Sequence, residues 1–140
     1  MLVLIRRLPV AALLLCATAC AAKVPPPIPP EPTVTVPSGQ PFTLSPGQTA
    51  IISDTGISLT FVRVVDDTRC PVAQDVACVW SGDATVVIRS SGATYELHTD
   101  WGAKAATLAP HLVTLQALAP GRKFANSIDQ QDYSATLQVS

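Results

Sequence analysis

The chain reads as an all-β protein, an antiparallel β-sandwich or small barrel of about six to eight strands, preceded by a leader and a proline-rich segment. Three observations carry that expectation. From Phe42 to Ser140, short apolar-alternating runs recur between turn residues. No window of that region keeps a helical apolar repeat with capping residues at its ends. The final run sets Tyr133, Ala135, Leu137 and Val139 against Ser134, Thr136, Gln138 and Ser140, one dry face and one wet face.

Taken in order, residues 48–53 and 57–65 form a first hairpin through Asp54-Thr55-Gly56, a short glycine-containing connection. Ile57, Leu59 and Phe61 share an inward face until Arg63 breaks the alternation, which predicts a bulge or an exit from the sheet there. In a second hairpin Ala84, Val86 and Ile88 alternate with Thr85, Val87 and Arg89. Ser90-Ser91-Gly92 then turns the chain, so that Tyr95 and Leu97 alternate with Thr94, Glu96 and His98. Segment 99–110, with Asp100, Trp101, Gly102 and an alanine-rich stretch, interrupts the rhythm and predicts one helical turn or an ordered loop. Connections of that length in a compact domain are disproportionately functional. Residues 112–118 form a further run closed by Pro120-Gly121, and Greek-key connections are the default for such a set.

Residues 1–19 have the anatomy of a secretory signal: Arg6 and Arg7, then Leu13, Leu14 and Leu15, then Ala17-Thr18-Ala19 before Cys20. The apolar run is too short to span a bilayer. Ala17-Thr18-Ala19-Cys20 resembles a bacterial lipobox, although a branched aliphatic residue is commoner where Ala17 stands; Cys16, after bulky Leu15, fits less well. The resemblance implies acylation of Cys20, and each acyl CH₂ buried in lipid contributes roughly 0.8 kcal/mol, so two or three chains anchor durably. Ala21, where a retention signal would have Asp, implies sorting to an outer membrane. The alternative is ordinary cleavage near Ala19 or Ala22, which releases a soluble protein. Nine of the thirteen prolines lie between Pro25 and Pro46, so residues 20–41 read as a polyproline tether that joins no sheet, with the domain occupying 42–140. At about 3.1 Å per residue, some fifteen residues reach roughly 45 Å.

Without Arg6 and Arg7 the formal charge goes from −1 to −3, with both signs interspersed and no basic stripe, which excludes nucleic acid as a partner. Roughly 100 residues beyond the tether suit one domain rather than two. The mature chain keeps Cys70 and Cys78, and an oxidising compartment favours their pairing as a disulfide. A redox role is better served by two intervening residues, and a zinc site wants further clustered ligands, whereas His98 and His111 stand apart.

The most distinctive text is Asp66-Asp67-Thr68-Arg69-Cys70-Pro71 followed by Cys78-Val79-Trp80-Ser81-Gly82-Asp83-Ala84. Residues 61–87 resemble a family of small, mostly uncharacterised bacterial envelope proteins, many with lipoprotein leaders. Its hallmark is Asp-Ser/Thr-Arg-Cys-Pro, then Cys-Val-Trp-Ala/Ser-Gly ahead of a strand. The similarity extends from about Phe42 to the C-terminus, rests on Asp67, Arg69, Cys70, Pro71, Cys78, Val79, Trp80 and Gly82, and carries no agreed activity with it.

Read physically, the cysteines pinch this loop shut, Pro71 stiffens a stem, Trp80 lays its face over the disulfide and Arg69 pairs with Asp67 or Asp83. The functional reading has the pinched loop presenting Arg69, Asp75 and an exposed aromatic to a partner. Candidate contact residues are therefore Asp67, Arg69, Asp75, Trp80, Asp83 and Trp101. Asp66, Asp67, Asp75 and Asp83 offer hard oxygen donors, the basis of a metal-binding alternative, but their spacing matches no calcium loop. No Gly-x-Ser-x-Gly elbow is present and His98 with Asp100 alternates on a strand edge, so no catalytic residue, cofactor or metal ligand is assigned. Ser91-Gly92-Ala93-Thr94-Tyr95 resembles the contact loop of lysozyme-inhibitor lipoproteins, which makes an inhibitor of a wall-degrading enzyme the runner-up reading, ahead of the metal-binding one. The expected function is a non-enzymatic binding or structural module of the cell envelope. Its expected partners are the membrane, through the lipid anchor, and an envelope protein.

Overall fold

A computed structural model describes residues 32–73, 77–123 and 127–140. Cys20, the leader and Asp75 lie outside the described residues. Among the described residues, nine strands form two sheets: β1 (Thr33–Val36), β2 (Pro41–Leu44), β3 (Thr49–Ile52), β4 (Ile57–Val65), β5 (Thr85–Ser90), β6 (Ala93–His98), β7 (Ala105–Leu108), β8 (His111–Ala119) and β9 (Ser134–Val139). The five-stranded sheet has the order β1-β3-β4-β5-β6 and the four-stranded sheet the order β2-β9-β8-β7. The protein is thus an all-β sandwich. In the smaller sheet β2 lies beside β9 rather than β7, a Greek-key order whose long connection carries the meander β3 to β6.

The inner faces meet over a core in which Leu44, Ile52, Leu59, Phe61, Ile88, Leu97 and Leu137 are fully buried. β9 shows the cleanest two-face alternation, with Ala135, Leu137 and Val139 buried and the residues between them half-buried. The break at Arg63 is a register shift between Phe61 and Arg63. The extra residue lets Phe61 and Val64, three positions apart, both face inward. Gln130 seals that bulge: its side-chain amide accepts from the Val64 N–H at 2.9 Å and donates to the Val64 carbonyl at 2.8 Å, as a neighbouring strand would.

Three details differ from the sequence reading. Residues 33–36, placed in the tether, form β1, which pairs in parallel with β3, so the sheet begins at Thr33 rather than Phe42 and is not wholly antiparallel. The reason is local: Thr33-Val34-Thr35-Val36 is a proline-free β-branched run, and the flanking prolines are tolerated because β1 and β2 are edge strands. Residues 105–108, read as loop or helical turn, form β7 against β8. On β5, Thr85 and Val87 are buried although the alternation set them on the wet face. Val87 stands between Arg63 and Glu96 across the sheet, long side chains whose apolar stems cover such a site.

Candidate functional site

The loop from β4 to β5 does not run free over the surface. Its two arms form a short ladder, with the Thr68 N–H donating to the Asp83 carbonyl and the Cys70 N–H to the Ser81 carbonyl, each at 2.7 Å. Gly82 makes this approach possible. It sits at φ +69°, and a Cβ there would lie 2.0 Å from the Thr68 carbonyl oxygen. Beyond the ladder, Cys70 and Cys78 form the disulfide, eight positions apart. Cys78→Ser is expected to lower the stability of the oxidised protein by roughly 2.5 kcal/mol through loop-closure entropy. An unchanged melting temperature would contradict a structural role for the bond.

Two carboxylates then tie the arms to the rest of the sandwich. Asp67 takes the Arg69 guanidinium side-on, Nε to Oδ1 at 2.9 Å and Nη2 to Oδ2 at 2.8 Å, and also accepts the Tyr133 hydroxyl at 2.8 Å. Arg69 reaches on to the carbonyl oxygens of Leu118, near the end of β8, at 2.8 Å and of Pro120, just past it, at 2.9 Å. Arg122 returns the contact by donating to the Arg69 carbonyl at 2.9 Å. Burial raises the Asp67 carboxyl, but the Arg69 and Tyr133 hydrogen bonds outweigh it and hold the group below its ordinary value. Burial and the bond to Asp67 push the Tyr133 phenol up to about 12.

Asp83 gathers the second set. Its Oδ2 lies 2.6 Å from His98 Nδ1, while Oδ1 accepts from the Thr99 hydroxyl at 3.0 Å and the Asp100 N–H at 2.9 Å. The Thr99 hydroxyl in turn accepts the Ala84 N–H at 2.9 Å, and the Ser81 hydroxyl donates to Asp100. Gly102 packs against the His98 ring, where a Cβ would come within 2.3 Å of Cγ and Cδ2. Burial raises the Asp83 carboxyl, yet the bonds from His98, Asp100, Thr99 and the Trp101 N–H overcome it and hold the group far below the usual carboxylate range.

A carboxyl depressed in the folded state contributes its full stability above the unfolded value of about 3.9, and that contribution is lost as pH falls toward the folded value. Unfolding free energy should therefore decline below about pH 4, and Asp83→Asn should make that acid limb shallower. Urea titrations across this range check it; an unchanged slope would contradict the assignment.

Above the Asp83 knot stand Trp80 and Trp101, their ring centroids 6.0 Å apart at 73°, an edge-to-face pair. They are 68% and 67% exposed, and Val79 beside them is fully exposed. Trp80 therefore pairs with Trp101 instead of covering the disulfide, and Cys78 is itself exposed. Of the residues singled out in the sequence, Asp67 and Arg69 meet in one knot, while Asp83, Trp80 and Trp101 meet in the other. Arg69 pairs with Asp67, not Asp83. Tyr133, Arg122 and His98 are partners of this loop that the sequence does not point to. Tyr133 reads as a core residue because it begins the dry face of the last strand, and its hydroxyl lies 66 positions from Asp67.

Among the described residues, no group of three His, Cys, Asp or Glu side chains is placed to hold a metal ion. Asp67 and Asp83 spend their oxygens on local donors. At the opposite end of the sandwich Ser91 and Gly92 form the β5–β6 turn with φ of +50° and +79°, the signs a tight hairpin requires. Tyr95 packs against the core rather than standing out as a contact residue. No family model matches the chain, and neither a curated protein nor a solved structure matches it.

Proposed function

We propose that this protein is a lipid-anchored module of the bacterial cell envelope, held at the outer membrane facing the periplasm, which acts by binding through the Trp80/Trp101 end of the sandwich. One observation carries the reading: two large aromatic side chains are left two-thirds exposed on two adjoining loops, the β4–β5 loop closed by a disulfide and a backbone ladder and the β6–β7 loop fastened to it through Asp83. Bracing removes ordering cost from an encounter, and exposed tryptophans are the side chains that most often anchor a contact. The leader supports the location, since Arg6, Arg7, the leucine run and the residues before Cys20 have the order of a lipoprotein signal. Both acidic residues with matched donors serve to position the loop, which favours binding over catalysis.

The test is crosslinking in intact envelopes followed by capture of the mature protein. The wild type should yield a defined contact, protein or lipid, that Trp80→Ala/Trp101→Ala loses without a change in melting temperature. Contacts that persist in the double variant would overturn the reading.

A further inference from the structure

Four of the seven large apolar side chains left exposed among the described residues, Val72, Val79, Trp80 and Trp101, belong to loops at one end of the sandwich. That end is defined by register: Val65 pairs with Thr85 and Thr85 with His98, so the 66–84 and 99–104 loops leave the same edge of the sheet. The β8–β9 connection joins them, as the Val72 N–H donates to the Arg122 carbonyl at 2.7 Å. β1 starts at Thr33, paired with Thr49, which is paired with Thr60, and it runs away from this end. The first residue of the sheet therefore faces the tryptophans' end, at the opposite lateral edge, four strand spacings or roughly 19 Å from β6.

We infer that the Trp80/Trp101 end seats on the lipid–water interface of the membrane that holds the N-terminus, giving the domain two points of attachment and a fixed orientation. This deepens the binding-module reading and rests on it. Indole rings combine a large apolar face with one N–H donor and collect at the boundary between acyl chains and headgroups. From an acylated Cys20, residues 21–31 span at most roughly 40 Å. So short a link keeps the aromatic end at an effective concentration on the order of millimolar relative to the bilayer, where even a weak contact is populated.

The polar groups under the pair argue for lipid over a glycan or a polar peptide. A site for such a ligand offers convergent, unspent donors and acceptors. Here the Asp83 oxygens already accept His98, Thr99 and the Asp100 N–H, and the Ser81 hydroxyl is given to Asp100. Polar groups that satisfy one another cost less to bring into a poorly hydrated boundary than groups that must shed water unpaired.

Trp80 and Trp101 are the chain's two tryptophans, so tryptophan emission, excited beyond the absorption of Tyr95 and Tyr133, reports on this end alone. The mature protein, purified from envelopes, is mixed with vesicles of phosphatidylethanolamine and phosphatidylglycerol. Its emission should shift to shorter wavelength, be quenched by phospholipids brominated near the head of the acyl chain, and lose its sensitivity to iodide. Val79→Asp keeps both fluorophores and alters a side chain that touches only solvent, and it should abolish all three effects. Emission that stays open to iodide and indifferent to brominated lipid overturns the inference. If an envelope protein then shields the pair, the binding-module reading stands without the membrane seat; if neither lipid nor envelope protein shields it, both fall.

Discussion

Asp67→Ala is expected to destabilise the domain by about 3–4 kcal/mol, a large share of the 5–15 kcal/mol that holds a protein of this size folded. Asp67 and Arg69 are 9% and 15% exposed, and removing the carboxylate strands a guanidinium edge and the Tyr133 hydroxyl with no acceptor. Leaving one member of a nearly buried pair uncompensated costs more than the pair itself contributes. Tyr133→Phe removes one hydrogen bond and should cost about 1 kcal/mol. Combined with Asp67→Ala it should add little, because the two act through one network. Asp66→Asn is the control: it discharges the exposed neighbour, which sits at φ +51° where Asn is tolerated, and should stay within about 0.5 kcal/mol of wild type. Denaturant melts of the four variants decide the point, and additive losses from Asp67→Ala and Tyr133→Phe would contradict a shared network.

Gly82→Ala is expected to cost about 3 kcal/mol or more. Left-handed backbone costs a residue with a Cβ roughly 1–3 kcal/mol, and this Cβ would also strike the Thr68 carbonyl and the Arg69 Cα. Relief requires the arms to part, which breaks the Thr68–Asp83 and Cys70–Ser81 hydrogen bonds, worth about 1 kcal/mol each. Gly92→Ala separates the two contributions. Gly92 has φ +79° but open space around it, so that variant meets the backbone strain alone and should lose less. Equal losses at the two positions, measured by thermal unfolding, would mean that the close approach at Gly82 contributes nothing.

Features set by neighbours in the chain were legible: the Ser91-Gly92 turn, the two faces of β9 and the bulge at Arg63 each follow from a few adjacent residues. The Cys70–Cys78 pairing was legible on other grounds, since these are the two cysteines beyond residue 20 and an oxidising compartment favours their joining. What was not legible depends on distant partners. β1 carries the strand-forming Thr33-Val34-Thr35-Val36 but stands amid prolines, and only its edge position beside β3 makes it a strand. Val87 is buried through its neighbours Arg63 and Glu96. Asp83 and His98 lie fifteen positions apart and face each other because β5 and β6 pair. Among the candidate site residues the loop motif pointed to the right segment and to Asp67 with Arg69. Tyr133 and Arg122 arrive from the far end of the chain, carrying no local mark of the role.

Presentation of the tryptophan pair requires the 66–84 loop to be a braced part of the sandwich rather than a flexible appendage, and a mobile loop would have no need of its glycine. Native-state hydrogen exchange of the Thr68, Cys70 and Asp100 amides tests this directly, because each donates to a partner within the brace. Protection within about 1–2 kcal/mol of the slowest β5 and β9 amides is the predicted result. Exchange at the rate of an unstructured peptide, while β5 and β9 remain protected, would contradict it.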